Sequence, residues 1–98
     1  MSDASGQIVI THAVGLHARP SVKLTKLAKG FQSAIEIAGS AAGPWVDAKS
    51  IVKVMAMKAK QGSELMVRAS GADAEQAVAA IVDLVRRDFD EAGDHGAA

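Results

Sequence analysis

One short run of residues carries the chemistry of this chain: Gly15-Leu16-His17-Ala18-Arg19-Pro20. Pro20 suits the first turn of a helix, where its missing N–H would have had no partner. From there Leu24, Leu27 and Phe31 recur at helical spacing, with Lys23, Lys26 and Lys29 on other faces. His17 is thereby placed at a helix start, where backbone amides are unpaired and the local field is positive. Such a point binds phosphate readily. Gly15 permits a tight turn into it, and Arg19 supplies a guanidinium fork shaped for phosphate oxygens. A neutral imidazole beside an anion site is what phosphoryl transfer onto histidine requires. The plainer reading of a lone histidine near a helix start is a capping or surface residue.

The elements that must position this run follow from periodicity and punctuation. Gln7 to Thr11 reads as a first strand, His12 to Leu16 as a loop, and His17 to Lys29 as a helix closed by Gly30. Ala34 to Ile37 alternates as a second strand with Ile35 and Ile37 inward. The turn-rich stretch Gly39 to Pro44 leads into a short third strand, Trp45 to Ala48. Ser50 to Met57 is a short helix with Ser50 as its N-cap. A fourth strand, Glu64 to Ser70, turns Leu65, Val67 and Ala69 inward. Asp73 and Gln76 resemble a capping box. After them Val78, Ile81, Val82, Val85 and Phe89 keep one apolar stripe until Gly93 ends the helix. The order β-α-β-β-α-β-α, with one apolar face per strand, predicts an α+β fold. Its four-stranded antiparallel sheet carries three helices on one face. Pattern alone does not separate this from a ferredoxin-like arrangement.

Composition narrows the class. The 98 residues allow one small domain, burying roughly 60–65% of the unfolded chain's surface. We expect the domain to span residues 1–93, with 94–98 as a frayed tail. Cysteine is absent, which excludes disulfides and Cys-ligated zinc and fits a reducing cytosol. The first residues have neither a basic region nor an apolar stretch, and the longest apolar run is Ala77 to Val82. A secretory signal and a membrane span are therefore not expected, and the expected location is the cytoplasm. His12, His17 and His95 have no spacing that suits a metal, so no metal is expected. An RNA-binding module would need stacking aromatics or a Gly-x-x-Gly clamp, and the aromatics here are Phe31, Trp45 and Phe89. Net charge is zero but uneven. Residues up to Gly62 carry eight Lys/Arg against three Asp/Glu, and those from Ser63 carry three against eight. If Arg19, Lys23, Lys26, Lys49 and Lys53 gather near His17, they form a rim that steers an acidic partner.

The string Gly15-Leu16-His17-Ala18-Arg19-Pro20 resembles the active-site segment of HPr, the histidine-containing phosphocarrier of the bacterial phosphoenolpyruvate-dependent phosphotransferase system. Asp47-Ala48-Lys49-Ser50-Ile51 is similar to that family's second signature, and Ala69 to Asp73 to its last strand-to-helix connection. The similarity runs over about residues 7 to 90, in the family's order.

The resemblance implies the HPr-like open-faced sandwich and a relay rather than a turnover enzyme, with no cofactor. His17 would accept a phosphoryl group on Nδ1 from enzyme I and pass it to an EIIA-type acceptor domain. Arg19 would stabilise charge, and the Ala18 and Arg19 amides would contact the phosphoryl group. A docking patch would comprise Val22, Lys23, Lys26, Ile51, Val52 and Met55, on a monomeric protein. Ser50 matches a serine that a regulatory serine kinase phosphorylates in some members. The alternative function is a regulatory protein-binding domain of the same fold acting through Ser50. Lys53 resembles the forms where that regulation is less usual. Ala13 and Val14 depart from the polar capping residues common before the histidine. The acceptor stays open among a sugar transporter, a nitrogen-regulatory branch, a dihydroxyacetone-kinase donor and a fused multiphosphoryl transfer protein.

Overall fold

The computed structural model describes residues 2–11, 18–40 and 42–90. Four strands, β1 (Ser2–Val9), β2 (Ala34–Ala38), β3 (Val46–Asp47) and β4 (Glu64–Gly71), form one antiparallel sheet in the order β1-β4-β2-β3. Of three helices, α1 (Ala18–Lys29) and α2 (Ile51–Ala56) connect strands and α3 (Ala74–Arg86) follows β4, in the expected order. The core forms where Ile35, Ile37, Leu65, Val67 and Ala69 meet Leu24, Ala28, Val54, Ala77, Val78, Ile81, Leu84 and Val85. The alternation of apolar residues in β2 and β4 turns one sheet face inward, and burial of that face supplies most of the driving force.

β1 departs from the sequence expectation of a strand over Gln7–Thr11. It begins at Ser2 and pairs along its full length, from Ser2 opposite Gly71 to Val9 opposite Glu64. Small polar residues have little strand preference of their own, but a long central neighbour recruits them. Gly6 lies under α3, where an added Cβ would sit 3.0 Å from Val78 Cγ1. The other face of the sheet is polar. There the Arg68 Nε donates to Glu36 Oε1 at 2.8 Å, and its guanidinium lies 4.0 Å from the Trp45 ring centroid.

Both ends of α3 also differ from expectation. Asp73 is the N-cap residue, yet its side chain makes no capping bond. Its carboxylate instead accepts from the Gln32 and Ser33 amides, both at 2.9 Å, and from Ser33 Oγ at 2.5 Å. The Asp73 amide donates back to Ser33 Oγ. The capping box of the sequence reading is replaced by this joint to the start of β2. The helix stops at Arg86 rather than running toward Gly93. Asp88 and Phe89 then take left-handed backbone conformations, φ +53° and +57°, within a 3₁₀ turn at Asp88–Asp90. That reversal, and not a continued helical stripe, buries Phe89 fully.

Candidate functional site

α1 opens with Ala18 and Arg19 exposed and Pro20 buried. No acidic side chain occupies its first turn, so the positive field of the helix start is not neutralised from within the helix. Pro20 lacks an amide proton, and its ring is buried, which fixes how the helix enters the fold. His17, Gly15 and Leu16 lie outside the described residues, as do His12, Ala13, Val14 and His95.

The chain on either side of residues 12–17 is well anchored. Ile10 is fully buried, its amide donates to Ser63 O at 2.8 Å, and its carbonyl accepts from Gly62 N at 2.7 Å. Thr11 O accepts from Gln61 Nε2 at 3.1 Å, and Thr11 Oγ1 donates to Asp88 Oδ1. On α1, Lys23 Nζ donates to Phe89 O at 2.9 Å.

The expected docking residues divide into two groups. Val22 on α1 is 45% exposed, and Val52 and Met55 on α2 are 74% and 41% exposed. With Val9 they are the exposed large hydrophobics among the described residues, and three of the four fall on two helices that pack against each other. Lys26 is also exposed, whereas Ile51 and Lys23 are half-buried. An exposed methionine and valines cost solvation unless a partner covers them, and methionine adapts to more than one partner.

The basic rim is smaller than the sequence suggested. Arg19 and Lys23 stand on the first half of α1 and Lys53 on the first turn of α2, whereas Lys26 lies in the last turn of α1. Lys49 does not join them: its Nζ donates to Phe31 O at 2.8 Å, beyond the far end of α1. A 12-residue helix is about 18 Å long, so this cation serves the C-terminal side of α1 and not its mouth. Ser50 is the N-cap of α2, and its hydroxyl accepts from Lys53 N at 3.4 Å.

Sequence reasoning missed Thr11, Asp88 and the Phe89 carbonyl. Their contacts span 66 and 77 residues of chain, and no local pattern signals such a meeting. Among the described residues no group of His, Cys, Asp and Glu could hold a metal, and no helix is long and apolar enough to cross a membrane.

Residues 4–87 match the family described as "PTS HPr component phosphorylation site". The chain belongs to the HPr phosphocarrier family. It is 34% identical to the phosphocarrier protein NPr of Proteus mirabilis over 87% of this chain and 93% of that one. It is 49% identical to the phosphocarrier protein HPr of Mycoplasma capricolum over 74% and 80%, respectively. The fold matches the crystal structure of HPr-C-His from Thermoanaerobacter tengcongensis with a TM-score of 0.81 and 35% identity, covering 88% and 94% of the two chains. These likenesses settle what pattern left open between an HPr-like and a ferredoxin-like sheet. Relatives of both HPr and NPr type stand close to this phosphotransferase-system carrier.

Proposed function

We propose that this HPr-family chain carries a phosphoryl group on Nδ1 of His17, received from phosphorylated enzyme I and delivered to a histidine of an EIIA-type acceptor domain. The start of α1 carries the reading: Arg19 is exposed there, no acidic side chain occupies the first turn, and His17 immediately precedes Ala18 in sequence. In the first half-reaction the neutral Nδ1 lone pair attacks phosphorus. The new P–N bond forms as the bond to the donor histidine breaks, and the donor imidazole keeps the electron pair. The second half-reaction repeats this with His17 as the leaving group, so no water is consumed.

The Arg19 guanidinium and the positive field of the helix start favour a phosphoryl group, whose charge is opposite to theirs. The Ala18 and Arg19 amides are the phosphoryl contacts in this reading. Val22, Val52 and Met55, with Lys26, form the surface that meets donor and acceptor in turn, and Ile51 supports it from a half-buried position. The chain forms its domain within residues 1–93 and works in the cytoplasm as a monomer. Transfer is tested by mixing the phosphorylated carrier with a purified EIIA-type domain and following the intact mass of both. Phosphate should leave the carrier and appear on the acceptor within seconds. Retention of phosphate on the carrier across several acceptor domains would overturn the relay.

A further inference from the structure

The sheet face turned away from the helices has a structure of its own. Register across the strands puts Ser5, Arg68, Glu36 and Asp47 in one row on that face. Arg68 is held there twice. Its Nε donates to Glu36 Oε1 at 2.8 Å, and its guanidinium lies 4.0 Å from the centroid of the half-buried Trp45 ring. Two clefts share Arg68 as a wall. One, of about 360 Å³, is lined by Trp45 and Met66 with Gln7. The other, of about 530 Å³, is lined by Asp3 and Glu36 with Ser70. The lining residues place the two clefts about two residues apart along β1 and β4, roughly 7 Å.

We propose that this face is a second docking surface, for an extended basic segment of a partner protein. The segment sets an apolar side chain against Trp45 and Met66 and, two residues on, a lysine or arginine between Asp3 and Glu36. Side chains two apart in an extended chain point the same way at about 7 Å, which matches the offset of the clefts. Charge selects the occupant: among the strand residues of this face, Asp3, Glu36, Asp47 and Glu64 outweigh Arg68. The first half of α1 carries the opposite sign, with Arg19 and Lys23, so the two surfaces sort their partners by charge. A tryptophan and an arginine already fixed against each other lose little freedom when covered, and these two residue types supply much of the energy at protein interfaces. The inference stands apart from the carrier reading, since it uses no residue of the α1 mouth.

The chain has one tryptophan and no tyrosine, so Trp45 emission reads this face directly. The probe is a synthetic peptide repeating Leu-Ser-Lys-Ser, titrated into the full chain at low salt, with amide NMR shifts followed in parallel. A peptide repeating Leu-Ser-Glu-Ser is the control. The proposal predicts a saturable change in Trp45 emission with a Kd below about 1 mM and no saturation with the control. Shifts should gather on β1, β2 and β4 and spare α1 and α2. Asp3→Asn leaves the Arg68–Glu36 pair in place and should weaken binding about threefold or more, and adding Glu36→Gln should weaken it further. Equal binding of the control peptide would overturn the proposal, as would shifts centred on α1 and α2. So would an unchanged Kd in Asp3→Asn, or no saturation by the lysine peptide. Sedimentation that shows the free chain pairing through this face would also overturn it, by giving the face to a second copy.

Discussion

Two aspartates flank α3, and they make unequal joints. Asp73 grips two backbone amides and a buried hydroxyl of residues 32 and 33, closing a joint between α3 and β2. Asp88 holds one exposed hydroxyl, that of Thr11, from a strained backbone. The first is a stability device: its hydrogen bonds, chiefly from Ser33 Oγ, hold the carboxyl down to about 2 from an ordinary value of 3.8. The second ties the end of the first strand region to the turn that follows α3 through a single side-chain hydrogen bond. Equal chemistry at the two ends of one helix thus makes two long-range joints of unequal burial and bond number.

The largest effect should come from the joint. Gly71 faces Ser33 there, and an added Cβ would lie 2.8 Å from Ser33 Cα and 2.5 Å from its Oγ. Gly71→Ala should destabilise by about 3 kcal/mol or more, since backbone must move and φ is +147°. Urea unfolding followed by circular dichroism measures it, and a cost below about 1 kcal/mol would refute the crowding.

Asp73→Ala should come next, lowering Tm more than Ser33→Ala, because it removes the acceptor of three hydrogen bonds while the serine variant removes one donor. The pH dependence has a definite sign. A depressed carboxyl stabilises the fold above its unfolded value, so that contribution is complete above pH 4 and is lost as pH falls toward about 2. Asp83 is held down in the same direction by Arg86 and Arg87. Asp73→Asn should therefore flatten the acid limb of the Tm–pH curve without abolishing it. An acid limb identical to the unmodified chain's would remove Asp73 from the joint.

Asp88→Gly should cost far less, leaving Tm within a few degrees, because one exposed hydrogen bond is lost while glycine accepts φ near +53°. If it lowered Tm as Asp73→Ala does, the contrast between the two aspartates would collapse. The smallest change belongs to Ser50→Ala. A cap of 3.4 Å sits at the weak end of its range, so the loss should be about 0.5–1 kcal/mol by the same unfolding measurement.

The sheet and helices were legible because their signals are local: the alternation of Ile35 and Ile37, and of Leu65, Val67 and Ala69, reports a two-residue period directly. The run around His17 rests on an equally local signal, since Pro20 and Arg19 sit within three residues of it. What stayed hidden depends on distant partners. Ser2 to Gly6 became strand only through β4. Asp73 looked like a cap and found Ser33 instead, 40 residues away. Lys49 looked like part of a basic rim, and the carbonyl of Phe31 claimed it. Phe89 fell on a helical period that the chain leaves at Arg86, because no glycine announced the left-handed turn.

The central claim is that His17 carries the phosphoryl group. Incubation of the full chain with enzyme I and phosphoenolpyruvate, read by intact mass at neutral pH and after brief acid treatment, tests it most directly. The account predicts one phosphate, lost in acid and absent from His17→Ala. A phosphate that survives acid, or one that His17→Ala still acquires, would contradict it.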